Sequence, residues 1–160
     1  MVFAKTSKAA SRLSEQVRNK TFQKEYLAIV DGKFEKEKGT LEDYLLKNEK
    51  NNLSKVVKEG TQNSKYAKLD YEVLKYNEKI DLSLIKVLLH TGRHHQIRVQ
   101  LANTGHTICG DQKYGTRGRG KQISLWAYKL IIEHPVTKER MEFKDIPEKV
   151  GSWIVLEDIM

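Results

Sequence analysis

Two adjacent segments constrain the fold more than anything else in the chain. Tyr66 to Tyr76 alternates strictly, with Ala67, Leu69, Tyr71 and Val73 on one side and Lys68, Asp70 and Glu72 on the other. Period-two patterning of this kind is that of a half-buried β-strand. Tyr76-Asn77-Glu78-Lys79 supplies a turn, and Ile80 to Leu89 follows with apolar residues on both faces. A strand that is apolar on both sides belongs near the middle of a sheet.

The remaining segments arrange themselves around that pair. Ser7 to Lys20 is predicted as a helix, with Ala9, Ala10, Leu13 and Val17 at helical spacing and Thr6 or Ser7 as its cap. Phe22 to Val30 is predicted as a strand whose buried part is Tyr26 to Val30, ended by the Asp31-Gly32 turn. Lys33 to Gly60 is rich in Lys, Glu and Asn, with Leu41, Tyr44 and Leu45 as apolar anchors. It reads as a peripheral excursion containing a short helical turn and a strand at Leu53–Lys58. A helix is predicted over His94–Asn103, strands over Ser124–Glu133 and Arg140–Lys144, and a closing helix over Pro147–Val155. The Gly115–Gly120 stretch, Gly-Thr-Arg-Gly-Arg-Gly, reads as a mobile basic loop. With no repeat and no linker, residues 1–160 form one α+β domain: a mixed, mostly antiparallel sheet flanked by helices.

Composition narrows the class of protein. Hydrophobic residues make up 39% of the chain, enough for a core, so disorder is excluded as the main state. No run of about 18 apolar residues exists to span a membrane. Met1 to Lys8 lacks the apolar stretch of a secretory signal, and the single cysteine, Cys109, cannot form an internal disulfide. The expected location is the cytoplasm. Lys and Arg number 29 against 21 Asp and Glu, a net charge of +8, which makes nucleic acid the first partner class to consider. The lysines are scattered and suit a solvated surface. Four of the arginines, Arg93, Arg98, Arg117 and Arg119, instead share one short span with His90, His94, His95 and His106. Arginine is the side chain for bidentate contacts to phosphate and carboxylate.

The densest candidate site is Leu89-His90-Thr91-Gly92-Arg93-His94-His95-Gln96-Ile97-Arg98. A strand that ends in Thr-Gly and runs into a helix presents backbone donors to anions at the sheet edge. On that helix Ile97 and Leu101 form the packing stripe. Arg98 projects into a pocket, where a guanidinium needs a phosphate or carboxylate partner. The alternative is that Arg98 pairs with a local acid. His90, His94 and His95 have no Cys or carboxylate at a familiar ligand spacing, so no metal is expected. Cys109 lacks an indicated base and reads as a small buried thiol. Tyr26, by its neighbours alone, is a core tyrosine with its hydroxyl at the rim.

The block Thr91-Gly92-Arg93-His94-His95-Gln96-Ile97-Arg98, followed by Gly105-His106 and Gly110-Asp111-x-x-Tyr114-Gly115, resembles the C-terminal signature of the RluA-type RNA pseudouridine synthases. Phe3-Ala4-Lys5-Thr6, Lys24-x-Tyr26-x-Ala28-x-Val30-x-Gly32 and Leu125-x-Ala127 leading to His134-Pro135 stand in the same order. The resemblance covers essentially the whole chain. It implies an enzyme that isomerises uridine in structured RNA, with ribosomal RNA favoured and transfer RNA the alternative, and that uses no cofactor or metal. By motif matching, Tyr26 corresponds to the tyrosine that packs against the target base and is a candidate general base. Arg98 corresponds to the basic residue that pairs with a nucleophilic aspartate, and Leu125 to an apolar residue of the pocket floor. Arg93, His94, Lys113, Arg117, Arg119 and Lys121 are the expected RNA contacts. Gln100, Thr107 and Trp126 depart from the residues usual at their positions.

The family's nucleophile lies in an Arg-Leu-Asp-x-x-Thr-Ser-Gly motif just upstream of the Phe-Ala-Lys strand, and this chain opens Met1-Val2-Phe3-Ala4-Lys5. The resemblance therefore implies an N-terminally incomplete catalytic domain that is inactive as it stands. The intact enzyme is expected to be monomeric, and a sheet lacking its first strands would offer an edge to another copy. The rival reading is a non-catalytic RNA-binding module that uses the basic loop.

Overall fold

The structure is a computed structural model describing residues 2–115 and 122–158. The basic loop with Arg117, Arg119 and Lys121 lies outside the described residues. Seven strands make one sheet: β1 (Gln23–Asp31), β2 (Lys38–Asn48), β3 (Leu53–Val57), β4 (Lys65–Asn77), β5 (Leu82–Leu89), β6 (Leu125–Glu133) and β7 (Arg140–Lys144). Their order is β3-β2-β4-β5-β1-β6-β7, and each neighbouring pair is antiparallel. The α+β class is as expected, while the mixed character is not: among the described strands no parallel pair occurs.

The alternation read in Tyr66–Tyr76 sets the two faces. On the front, Ala28 and Val30 of β1, Leu69 of β4 and Ile85 and Val87 of β5 form the main core. Helix α2 (Gln96–Asn103) lays Ile97 and Leu101 on it, and both side chains are buried. On the back, Leu27, Ile29, Leu82, Leu84 and Cys109 make a second cluster, flanked by Trp126, Tyr128 and Trp153. The thiol of Cys109 is buried, as read from the sequence.

Three elements differ from expectation. The Lys33–Gly60 excursion contains no helical turn among its described residues but the eleven-residue strand β2, which extends the sheet beyond β4. Its Lys and Glu content reflects cross-strand pairing on the back face: Lys38 binds Glu72 at 2.7 Å, Lys68 binds Glu42 at 3.1 Å, and Lys86 joins Glu72 at 2.6 Å. Helix α2 starts two residues late, at Gln96, because His95 takes a left-handed conformation with φ of 52°. The Gln96 side chain explains that start. Its Oε1 accepts from Thr91 Oγ1 and the Arg93 N–H, and its Nε2 donates to the Lys68 carbonyl, so residues 91–95 are tied as a loop. Finally, the closing helix is a 3₁₀ segment at Gly151–Asp158.

Helix α1 (Ser7–Arg18) is capped by Thr6, whose Oγ1 accepts the Ala9 N–H at 3.2 Å. Its apolar stripe does little to hold it, since Val17 remains 53% exposed. Buried Gln16 does the fastening, donating to the Glu133 carbonyl at 2.7 Å and accepting the Glu133 N–H at 2.9 Å.

Gly39 of β2 stands opposite Tyr71 of β4, and a Cβ there would lie 2.6 Å from the Tyr71 ring. The ring occupies the space a side chain would need. Gly39→Ala is expected to cost about 1–3 kcal/mol by overpacking, measured by urea unfolding; an unchanged midpoint would show that the ring moves freely.

Candidate active site

The site grows from the loop that follows α2. Ile108 bridges to Val30 at the end of β1, and the Cys109 N–H donates to the Ile29 carbonyl at 2.8 Å. The next turn is possible only with glycine at its ends. A Cβ on Gly110 would stand 2.1 Å from the Gln122 carbonyl oxygen, and one on Gly115 would stand 2.4 Å from that of Asp111. This tight turn carries the Asp111 side chain, which is fully buried, to the guanidinium of Arg98.

The pair is bidentate. Arg98 Nε donates to Asp111 Oδ2 at 2.8 Å and Nη2 donates to Oδ1 at 2.6 Å. Oδ1 also accepts the N–H groups of Lys113 at 2.9 Å and Tyr114 at 3.1 Å. Burial by itself would raise the Asp111 pKa. The Arg98 and backbone hydrogen bonds, with the Arg98 charge, outweigh it and hold the carboxyl below its usual range. Arg98 is held above its ordinary value, first by its hydrogen bond to Asp111. Its guanidinium also lies over the Tyr114 ring, 5.1 Å from the centroid. Arg98 is thus engaged by a local acid.

Tyr114 extends this anchor to the β2–β3 hairpin. Its hydroxyl accepts the Ser54 N–H at 2.7 Å and meets His95 Nδ1 at 3.0 Å. Ser54 Oγ lies 2.9 Å from His94 Nδ1, and the His94 and His95 rings stack at 3.9 Å. Burial, followed by the nearby charge of Arg98, pushes His95 down to about 4, so its imidazole is neutral near pH 7. The three histidines do not converge. His90 turns to the back face and bonds Asp70 at 2.6 Å. Among the described residues no group of three His, Cys, Asp or Glu side chains could hold a metal ion.

Tyr26 and Leu125 both lie on the front face. Tyr26 of β1 pairs with Ala127 of β6 beside a bulge, and Leu125 pairs with Ala28 two positions along. Both pack against the core that carries Ile97 of α2. Tyr26 lines a cavity of about 690 Å³ together with Phe22, Lys24, Ala127, Leu130 and Phe143. Burial raises its pKa above 10, so the side chain is a neutral phenol at pH 7. Arg93 donates from Nε to the Tyr66 carbonyl at 2.8 Å, and Lys113 reaches the Asn52 carbonyl at 3.3 Å. Asp111 and Tyr114 were visible in the sequence as a motif without a role, and Ser54 carried no signal at all.

The fold has solved counterparts. Human RNA pseudouridylate synthase domain containing 1 superposes with a TM-score of 0.76 at 25% identity, over 94% of this chain and 64% of its own. Human RNA pseudouridylate synthase domain containing 4 gives 0.75 at 19% identity, over 94% and 67%, which adds fold likeness alone. This is the α+β architecture of pseudouridylate synthase domains. The family model described as RNA pseudouridylate synthase matches residues 1–103, and the chain belongs to that family. An uncharacterised RNA pseudouridine synthase of Bacillus subtilis, YhcT, is 37% identical over 142 residues, which is 87% of this chain and 45% of that protein. The ribosomal large subunit pseudouridine synthase C of Haemophilus influenzae is 34% identical over 151 residues, covering 89% and 46%. The chain spans about half the length of these curated relatives.

The Arg98–Asp111 pair is expected to anchor the site. Asp111→Ala leaves a part-buried guanidinium uncompensated and should cost about 3–5 kcal/mol in urea unfolding, whereas a loss under about 1 kcal/mol would remove the anchor role. His95 gives a separate signature in pH. From about pH 6.5 down to 4 the unfolded chain binds a proton at His95 that the folded chain does not, so stability falls on acidification. His95→Gln should flatten that slope. The contribution of Asp111, whose folded pKa is depressed, is complete above its unfolded value near 3.9 and is lost only below it, as pH falls through the folded pKa.

Proposed function

We propose that this chain forms the uridine-binding half of an RNA pseudouridine synthase acting on ribosomal RNA. The observation that carries the reading is Tyr26: a half-buried neutral phenol that packs against the core and lines a cavity of about 690 Å³ formed by β1, β6 and β7. A target uridine must leave its stack to be isomerised, and an aromatic ring can receive the face of the extruded base. Leu125, diagonal to Tyr26 across β1 and β6, is the proposed apolar neighbour of the base. Breaking the N1–C1′ bond and forming the C5–C1′ bond needs no redox partner. The base turns over within the pocket, and the hydrogen displaced from C5 is exchanged for one on N1. Because its pKa is raised, Tyr26 serves this chemistry first as a stacking surface and hydroxyl donor.

The reading places the nucleophilic aspartate outside these 160 residues. No acid here stands in an Arg-Leu-Asp motif. Asp111 already accepts four hydrogen bonds, and buried Asp31 takes the Thr107 hydroxyl at 2.6 Å. Arg98, held rigid by Asp111, is the fixed positive charge that keeps such a carboxylate ionised. Arg93, His94, Lys113, Arg117, Arg119 and Lys121 contact the RNA backbone. The ribosomal target is supported by the name of the Haemophilus relative.

The test is a pseudouridine map of ribosomal RNA from cells with and without the gene encoding this sequence. Loss of one or a few sites, restored by the wild-type gene and not by a Tyr26→Ala version, is expected. An identical map would leave the binding-module reading in its place. RNA affinity of the chain should also fall steeply as salt rises, and Arg117→Ala with Arg119→Ala should make that fall shallower. A flat salt dependence would take the basic loop out of the account.

A further inference from the structure

A second cavity, of about 580 Å³, opens between the β2–β3 hairpin and the turn that follows β5. It is separate from the pocket beside Tyr26, and its chemistry is different. Lys47, Lys65 and Arg93 line it with Ser64 and His94, and the one carboxylate among its lining residues, Glu49, is bound to Lys47 at 2.6 Å. The cavity therefore has a positive excess. Arg93 uses Nε to hold the Tyr66 carbonyl, which fixes the guanidinium plane while its terminal nitrogens retain donors. Gly92 lies on the lining, and nothing stands within 4 Å of where its Cβ would be, so a ligand can approach the backbone.

The two walls are locked together. Ser54 Oγ sits 2.9 Å from His94 Nδ1 and donates to the His94 carbonyl at 3.0 Å, and the Ser54 N–H donates to Tyr114. The hairpin cannot drift from the turn without breaking these bonds, so the cavity is formed before any ligand arrives. Burial and the charges of Lys47 and Lys113 lower the His94 pKa, in keeping with a positive field at this spot.

We infer that this cavity seats a phosphodiester of the RNA backbone, held by Arg93 and Lys65 and closed on its far side by Lys47. The inference rests on the RNA reading above and deepens it: the Tyr26 pocket lies at the β1–β6–β7 end of the sheet, and this seat lies at the β2–β3 end, at the turn before α2. The hairpin that the sequence presented as a peripheral excursion becomes a clamp on the strand bearing the target uridine. Phosphate is the chemistry recognised, and free phosphate and the RNA backbone are its two sources.

The test is fluorescence anisotropy of a labelled single-stranded RNA oligonucleotide with the 160-residue chain, titrated across salt concentrations. Arg93→Ala and Lys65→Ala should each lower affinity about fivefold at 0.1 M salt and reduce the salt slope by about 0.7, the loss of one single-strand phosphate contact. Lys65→Glu, at an exposed strand end, should weaken binding further. Lys79→Ala, in the turn between β4 and β5, removes the same charge elsewhere and should leave the slope unchanged. Inorganic phosphate should compete with RNA for wild type and less so for the variants. Wild-type affinity and slope in Arg93→Ala and Lys65→Glu would overturn the seat alone, leaving the uridine pocket standing. Phosphate that binds without displacing RNA would likewise overturn it, as an anion site unrelated to the substrate. Absence of RNA binding by the wild-type chain would overturn the seat and the RNA reading together.

Discussion

The bidentate contact between Arg98 and Asp111 is the interaction on which the working end of the molecule depends. A guanidinium on a core-packed helix and a carboxylate in a tight turn would each be costly to bury alone. Together, with two backbone N–H groups completing the carboxylate shell, they fix the loop after α2 against the helix. Tyr114 follows from that turn and carries the order outward through its hydroxyl to Ser54 of β3 and to His95. One ion pair thereby ties the helix, the loop and the outer hairpin into a single rigid unit. Enzymes gain most when charged groups are oriented before substrate arrives, since no reorganisation is then needed during reaction.

Much of this was legible in the amino-acid order, and the gaps have physical causes. Period-two alternation made β4 plain and apolar residues on both faces made β5 plain, because each residue's face is decided by its own hydrophobicity. β2 was hidden because its partners are charged. Lys38 and Glu42 are strand residues only by virtue of Glu72 and Lys68 across the ladder, and pairings that far along the chain leave no local mark. The start of α2 was misplaced because the loop before it is held by the Gln96 side chain, while His95 adopts a conformation that local propensity disfavours. At the site, the Gly-Asp-x-x-Tyr-Gly block was visible as a pattern. That its aspartate reaches Arg98 thirteen residues back depends on the closeness of Gly110 to the Gln122 carbonyl, a tertiary fact.

The sheet divides its labour by face. The front carries the core under α2, with Tyr26 and Leu125 packed against it. The back beyond β5 is a lattice of cross-strand pairs in which Lys38, Lys86 and Glu72 share one cluster and Thr40, Asp70 and His90 another. Exposed pairs of this kind contribute little to stability. Their value lies in register, which for a strand as polar as β2 cannot be set by hydrophobic burial alone.

β1 stands between β5 and β6, and both neighbours are distant along the chain. Tyr26 faces Val87, about sixty residues later, and Ala127, about a hundred residues later. The hairpins β2–β3, β4–β5 and β6–β7 close short loops, whereas β1 must wait for both of its partners to be synthesised. The Tyr26 cavity is therefore absent from a nascent chain until β6 has cleared the ribosome, however early Tyr26 itself emerges. A protein whose proposed substrate is ribosomal RNA thus gains its binding wall only after about a hundred residues beyond Tyr26 have been made.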